Sequence, residues 1–438
     1  MTQPAGVARS VAVVGLGKIG LPLAVAFASA GHRVHGADRD AALVAMVNAG
    51  IEPFPGEADL GPQLASAINA GLLDASTDTA AAVSSSEAVI VVVPVIVDGS
   101  GAPDFTAMDA AVRDIAKGLR PGSLVVFETT VPVGTTRGRF APALAEGSGL
   151  AIGEEVLLAY SPERVLTGRV FTDLRRYPKL VGGINEASTA RAIALYQDLL
   201  TFDVREDLPR PNGVWDLGTS EAAELAKLAE TTYRDVNIAL ANQFARFAEQ
   251  SGIDIHAVIE ACNSQPFSHI HSPGVAVGGH CIPVYPHLYL STDPSAEIVR
   301  VARSTNAAMP DVTCERLASA FEGSLAGLRV VILGAAYRGG VKETAFSGVF
   351  PLVDALRRRH AVPLVHDPLY DDKELRALGL TPFHRGEQAD AVIVQANHSE
   401  YRDWGTADVP GVRCVLDGRA WTSADRWPGV THLTIGRG

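Results

Sequence analysis

The stretch RSVAVVGLGKIGLPLAVAFASAGHRVHGADRD, residues 9–40, changes its pattern three times. Ser10 to Val14 form a short continuous apolar run, as in a strand covered on both faces. Gly15, Gly17 and Gly20 then punctuate a turn, and a helix follows to about Ala30. Arg33 to Ala37 read as a second strand that stops at Asp38, 23 residues past Gly15. Strand, glycine turn, helix and strand open a doubly wound α/β domain. The glycines permit a tight turn and let a pyrophosphate approach the helix N-terminus, where backbone N–H groups and the helix dipole favour anions. Asp38 is placed to accept a hydrogen bond from a ribose 2′-OH and would repel a 2′-phosphate, so NAD is expected rather than NADP. Lys18 and Ile19 within the turn, Arg39 after Asp38 and Pro94 near the end of a later strand complete the cofactor candidates, with Thr130 further on. The competing reading of such a turn is mere helix–strand packing.

Working outward, strands are predicted at Ala88 to Val95, Ser123 to Thr130 and Glu155 to Pro162, with helical stretches between them. The alternation then stops. Thr219 to Gly252 run without proline or internal glycine, with Ser220 as a fair N-cap and Gly252 as a fair stop. At about 1.5 Å per residue such a helix is roughly 50 Å long. That suits a connector or a dimer interface. The first pattern restarts at LAGLRVVILGAAYRGGVKE, with a strand at Arg329 to Leu333 and a turn at Gly334. Further strands are predicted at Pro363 to Pro368, Asp390 to Asn397 and Arg413 to Arg419. The expected fold is α/β, two Rossmann-like doubly wound domains joined by a long central helix.

Bulk properties narrow the function. Of 438 residues, 47% are hydrophobic and 20% charged, which favours large cores over disorder. A net charge of -12 disfavours a nucleic-acid partner. An anionic substrate would need a local cluster of Lys and Arg. The four cysteines, Cys262, Cys281, Cys314 and Cys414, form no CxxC pair, so neither a zinc nor a disulfide framework is expected. The start, MTQPAGVARS, lacks a signal-peptide pattern, and no run reaches the roughly 18 apolar residues of a membrane span. The chain reads as cytoplasmic with reduced thiols.

Four further features carry chemistry. FETTVPVGTTRG (127–138) and SPERVLTG (161–168) each follow a strand, where open α/β sheets bind ligands. Glu163 beside Arg164 also suits a plain solvated ion pair. Lys227 and Asn237 sit within the long helix, where most lysines are solvated. The stretch VAVGGHCIPVYPHLY (275–289) is more pointed. Gly278 and Gly279 allow close approach to the backbone beside His280 and Cys281. The thiolate is the nucleophilic form, and a neighbouring cation such as Lys227 would favour it. A buried inert cysteine needs no such glycines.

Together these residues resemble the UDP-glucose/GDP-mannose dehydrogenase family, the nucleotide-sugar 6-dehydrogenases. The resemblance rests on GLGKIGLP, TTVPVGTT, SPERVLTG, AKLAETTYRDVNIALANQFA, GGHCIPV and VVILGAAYRGGVKE, in that order along almost the whole chain. It implies an NAD-binding domain over 1–210, a central helical dimerisation domain carrying the cysteine over 211–320, and a sugar-nucleotide domain over 321–438. It also implies a soluble homodimer that oxidises the C6 hydroxymethyl of a nucleotide-linked hexose to a uronic acid. Four electrons pass to NAD, by way of a cysteine thiohemiacetal and thioester. By motif, Cys281 is the nucleophile and Lys227 stabilises oxyanions, while Thr130 and Glu163 position water or relay protons. Glu163, Arg164, Lys227, Asn237, Gly278, His280, Tyr337, Arg338 and Lys342 are the candidates to hold the substrate, the last two at its diphosphate.

The chain also departs from that family. The usual Asp four residues after the cysteine is Tyr285, and the usual Asn four after the lysine is Thr231. Ala345 stands where an Arg is frequent, and QPFSHIHSPG lacks the expected Arg before the glycine turn. His280, His271 and Tyr285 are the candidates to take over these roles. UDP-glucose, dTDP-glucose and UDP-N-acetylhexosamines remain open as substrates, for a surface polysaccharide or a glycosylated natural product. RDVNIALANQFA is closer to the N-acetylhexosamine branch. Two other readings stand beside this one: a two-electron dehydrogenase that stalls at the aldehyde, and a non-catalytic sensor of NAD or a sugar nucleotide.

Overall fold

The computed structural model describes residues 8–54, 56–99, 101–166 and 168–438. The opening residues 1–7, which read as lacking a signal peptide, and Thr167 of SPERVLTG lie outside them. The chain forms two compact units. The first runs to Ala229 and includes His287–Thr292; the second comprises Glu230–Pro286 and Asp293–Gly438.

In the first unit the strands are β1 (Ser10–Val14), β2 (Arg33–Ala37), β3 (Leu73–Ser76), β4 (Ala88–Val91), the hairpin β5 (Ile96–Val97) and β6 (Pro103–Asp104), then β7 (Leu124–Phe127), β8 (Leu157–Tyr160), β9 (Lys179–Gly183) and β10 (Val214–Thr219). Eight of them make one sheet in the order β10-β9-β8-β7-β4-β1-β2-β3. The order reverses between β1 and β4, the switch point where such sheets take ligands. Both faces are covered. Val11 and Val13 enter one core while Ala12 and Val14 enter the other, which is why β1 is apolar throughout.

The sheet differs from the predicted one in three strands that were not foreseen, β3, β9 and β10, and in two further features. β4, β7 and β8 stop short of the predicted ends, leaving Val92–Val95, Glu128–Thr130 and Ser161–Pro162 outside the strands. There Thr129 donates its hydroxyl to the carbonyl of Val93 at 2.7 Å, a side-chain contact in place of a ladder bond. In addition, β9 runs antiparallel to β8 in an otherwise parallel sheet. This reversal puts Lys179, the first residue of β9, at the edge where β7 and β8 end.

The second unit holds β11 (Arg329–Leu333), β12 (Val362–His366), β13 (Ala391–Val394), β14 (Cys414–Asp417) and β15 (Thr431–Thr434). They form a sheet in the order β12-β11-β13-β14-β15, with every pair parallel. Here too alternate residues serve opposite cores: Val330 and Ile332 one, Val331 and Leu333 the other.

The long helix spans Ser220–Ser251. Its buried face carries Ser220, Glu224, Lys227, Thr231, Asp235 and Asn242, spaced by three, four or seven residues after Ser220 and Glu224. The opposite face exposes Leu225, Tyr233, Leu240, Phe244 and Phe247. Ala223, Leu228, Ala241 and Ala245 are buried as well, and Glu230, Arg234, Gln243 and Arg246 are exposed, so polar and apolar residues occur both inside and outside. Among the described residues, no helix is long and apolar enough to cross a membrane.

Candidate functional site

At the switch point Gly15 follows β1 with φ +93°, and its N–H donates to Ala37 at the end of β2. A Cβ on Gly15 would lie 3.0 Å from the carbonyl of Val92, and one on Gly20 would lie 1.8 Å from the carbonyl of Gly15. Only glycine fits either place. Around Gly17 a Cβ would meet nothing within 4 Å, so this backbone faces open space. The helix Gly20–Ser29 has no side-chain cap and no acidic residue in its first turn. Its orphan N–H groups and positive end therefore remain available to an anion. Asp38 accepts the N–H of Leu16 at 2.8 Å and that of Asp40 at 3.0 Å, which fixes its half-buried carboxylate beside the turn. Lys18, Arg39 and Pro94 are exposed around it, and Ile19 is half-buried. These residues fit a dinucleotide: glycine backbone for the pyrophosphate, a helix N-terminus for its charge, and a carboxylate for the ribose.

The register of β4, β7 and β8 brings the loops after them to the same edge. Thr130 is buried there. Glu163 accepts the N–H groups of Arg164 and Val165, at 2.5 and 2.9 Å, on one carboxylate oxygen. Its other oxygen lies 3.2 Å from the ammonium of Lys179. Lys179 in turn reaches the buried Glu128 at 2.8 Å, and Tyr196 donates its hydroxyl to the second oxygen of Glu128. Burial pushes the Glu128 carboxyl up to about 7 despite Lys179. Burial would raise Glu163 as well, but the charge of Lys179 and hydrogen bonds from Glu128 and the Arg164 N–H hold it below its usual range. Arg164 turns the other way, to the carbonyl of Pro178 and the ring of Tyr177. The sequence reading missed Glu128, Lys179 and Tyr196.

Lys227 is buried, only 7% exposed, against the expectation for a helix lysine. One turn earlier Glu224 accepts the N–H groups of Gly134 and Thr136, at 2.6 and 2.8 Å. It thereby clamps the VPVGTT loop to the helix. Burial lifts its carboxyl to about 7.

In the second unit Cys281 is half-buried, and its carbonyl accepts the N–H of Val284 at 3.2 Å and that of Tyr285 at 2.9 Å. Gly278 is pressed on Tyr337, where a Cβ would stand 2.7 Å from the tyrosine Cβ. Gly279 has φ +94° and donates to the carbonyl of Ala345 at 3.0 Å. A cavity of about 180 Å³ opens beside this loop, its walls including Ser272, Gly278, Ile282, Tyr337, Arg338 and Arg419. The two arginines supply the local positive charge that the acidic chain otherwise lacks. Arg419 was not singled out by sequence, although it follows β14 at the ligand-binding edge of a parallel sheet. Asp417 accepts its N–H at 2.9 Å, and its own guanidinium donates to the carbonyl of Gln395 at 2.6 Å. Burial lowers its pKa, an effect that Asp417 opposes.

Several candidates serve other contacts. Lys342 pairs with Glu374 at 2.5 Å, and exposed His280 lies 3.4 Å from Glu343. Asn237 bridges the carbonyl of His269 (2.7 Å) and the N–H of His271 (2.8 Å), which pins the segment before the cysteine loop. Burial lowers the pKa of His271, whose ring stands edge-on to Tyr233 at 6.2 Å. A second anchor is wholly internal. Arg303 pairs with the buried Asp235 and donates to the carbonyl of Pro283 at 3.2 Å. Asn306 donates to Asp235 at 2.8 Å, and Asn242 accepts the N–H of Gly274 at 3.0 Å.

A glycine turn built for a dinucleotide and a cysteine loop beside an arginine-lined cavity define the class of a dinucleotide-dependent oxidoreductase acting on an anionic substrate. The comparisons agree with this. The NAD binding domain of the UDP-glucose/GDP-mannose dehydrogenase family matches residues 9–200, its central domain 221–308 and its UDP binding domain 331–424. The chain belongs to this family, and NAD is its cofactor. It is 33% identical to the UDP-N-acetyl-D-mannosamine dehydrogenase of Pyrococcus horikoshii over 93% of this chain and 95% of that protein. The solved structure of UDP-D-ManNAc dehydrogenase from Pyrococcus horikoshii superimposes with a TM-score of 0.85 at 31% identity, covering 98% of this chain and 99% of that one. A UDP-glucose dehydrogenase from the hyperthermophilic archaeon Pyrobaculum islandicum gives 0.86 at 26% identity, with both chains covered fully.

Proposed function

We propose that the protein oxidises the C6 hydroxymethyl of a UDP-linked N-acetylhexosamine, N-acetylmannosamine first among them, to the carboxylate. The observation that carries this reading is the half-buried Cys281, whose neighbours Gly278 and Ile282 line the cavity holding Arg338 and Arg419. The relative from Pyrococcus horikoshii, a UDP-N-acetyl-D-mannosamine dehydrogenase, supports the choice of sugar.

In this reading 1–210 serve the cofactor, 211–320 carry the cysteine and 321–438 hold the sugar nucleotide. Gly15, Gly17, Gly20 and Asp38 hold NAD, which when bound takes up the electrons of each oxidation. Arg338 and Arg419 neutralise the diphosphate, in the bidentate manner that guanidinium groups favour. Lys227, buried and positive, stabilises the alkoxide as the alcohol loses its proton. The Cys281 thiolate then adds to the aldehyde carbon, and oxidation of the adduct leaves a thioester. Glu163, steadied beside Thr130, takes a proton from the water that cleaves it. The released thiolate is ready for another turn. The exposed stripe of Tyr233, Leu240, Phe244 and Phe247 supports a homodimer through the long helix. The setting is the cytoplasm.

The test is the NADH yield from limiting UDP-N-acetylmannosamine, UDP-N-acetylglucosamine, UDP-glucose and dTDP-glucose. Two NADH per sugar, lost in Cys281→Ala while NAD binding persists, is the expected result. One NADH per sugar would show that Tyr285 and Thr231 have stopped the reaction at the aldehyde. NAD binding without turnover on any sugar would favour a sensor.

A further inference from the structure

One buried cation in the first unit is shared by two carboxylates. Lys179 is 5% exposed and Glu128 fully buried. The ammonium lies 2.8 Å from Glu128 and 3.2 Å from Glu163, and 5.0 Å from the centre of the Tyr196 ring. Tyr196 occupies the remaining oxygen of Glu128. Of the two carboxylates only Glu163 reaches solvent, with 13% of its side chain accessible. Its N–H also donates to the carbonyl of Glu128 at 3.2 Å, so backbone and side chain tie the two together. Burying three ionisable groups is expensive, and well-packed apolar residues would fill the same space at no less stability. The arrangement instead resembles support for one working group. Lys179 can reach both glutamates only because β9 runs antiparallel to β8.

We propose that Lys179 is a positioning residue for Glu163: anchored on Glu128 and Tyr196, it fixes where the Glu163 carboxylate points and that it is ionised when the reaction needs a base. This rests on the role given to Glu163 in the proposed function. Glu128 acts as a counterweight. When it is charged it takes a share of the ammonium's field, and when it is protonated the whole field falls on Glu163. The direction of each carboxyl's shift agrees with this division.

Two variants should move the pH profile in opposite directions. Lys179→Met removes the cation, so the acid limb of kcat should shift upward by about 1–3 pH units. KM for NAD should hardly change. Glu128→Gln leaves the cation to Glu163 alone, so the same limb should move down. Lys179→Arg, which keeps the charge, should restore the limb close to its wild-type position. If Lys179→Met is poorly folded, the double variant Lys179→Met/Glu128→Gln removes the orphaned buried carboxylate and should still show the upward shift. A uniform loss of rate with an unmoved limb in all of these would overturn the proposal and leave Lys179 a structural residue. Should the wild type turn over no sugar, the proposed function fails but this inference is still tested. Carbon-13 titration of the Glu163 carboxyl, assigned by its absence in Glu163→Gln, must then move upward in Lys179→Met. An unchanged titration overturns it.

Discussion

Gly17 and Gly20 stand three residues apart in one turn, and replacing each by alanine should do different things. The Cβ of Gly20→Ala would start 1.8 Å from the carbonyl oxygen of Gly15, where ordinary contact begins near 3.4 Å. Turn and helix must separate by about 1.6 Å, since both partners are backbone. The helix Gly20–Ser29 is buried along Leu21, Leu23, Val25 and Phe27, so its retreat disturbs the core. Overpacking of this kind costs about 1–3 kcal/mol. Without the clash, alanine in a helix would stabilise by up to about 1 kcal/mol, so the measured loss understates the strain. The same retreat draws the first N–H groups of the helix away from a bound pyrophosphate. Losing one hydrogen bond to a charged group costs about 1.5–3 kcal/mol, or roughly ten- to a hundredfold in the Kd for NAD. Gly17→Ala meets no protein atom within 4 Å, and Gly17 lies outside the left-handed region. Its stability should stay within about 0.5 kcal/mol of wild type, while NAD binding weakens because the methyl fills the approach to the backbone. Thermal unfolding without ligand and calorimetric NAD titration measure the two effects separately. Equal stability loss in both variants, or wild-type behaviour of Gly20→Ala, would refute the reasoning.

Three other predictions are independent of that turn. Asp235→Ala removes the buried partner of the half-buried Arg303 and of Asn306, and should destabilise the second unit by about 1–3 kcal/mol in urea unfolding. Raising the Glu224 carboxyl to about 7 from its ordinary 4.5 means that the folded protein binds this proton more tightly than the unfolded chain does. Its contribution to stability is therefore full below pH 4.5 and fades as the pH climbs through about 7, so Glu224→Gln should flatten the fall of Tm over that window. For the homodimer proposed above, Phe247→Lys combined with Phe244→Glu on the exposed stripe should yield monomers by light scattering, and a dimer that persists unchanged would place the interface elsewhere.

Much of the fold could be read from local signals. The bounds of β1, β2 and β11 follow from apolar runs closed by glycine or aspartate, and the long helix from an uninterrupted stretch without proline. Cys281 and Asp38 were legible because glycines and strand ends mark them within a few residues. Lys179 and Glu128 were not, since they meet across 51 residues and each looks like an ordinary strand-end polar group. Only the reversed direction of β9, which no local pattern encodes, brings them together. The burial of Lys227 did have a signal. Glu224, Thr231, Asp235 and Asn242 share its face at helical spacing, but polar residues on a helix are usually taken as its wet side. Arg419 was hidden in the same way, as the end of a strand whose companions were being counted for topology.

The two-faced long helix limits how this chain can be recombined. In the second unit Asn237 pins 269 and 271 and Asn242 holds 274, so the segment before the cysteine loop takes its position from one rotational phase. Inserting a single residue between Ala239 and Leu240 would turn Asn242 by about 100° relative to Asn237, carrying the anchor of Gly274 away from that of His269 and His271. Seven residues, close to two full turns, would keep both faces in phase while lengthening the helix by roughly 10 Å. Chimeras spliced with other members of the family should therefore tolerate junctions in this helix only when whole turns are exchanged.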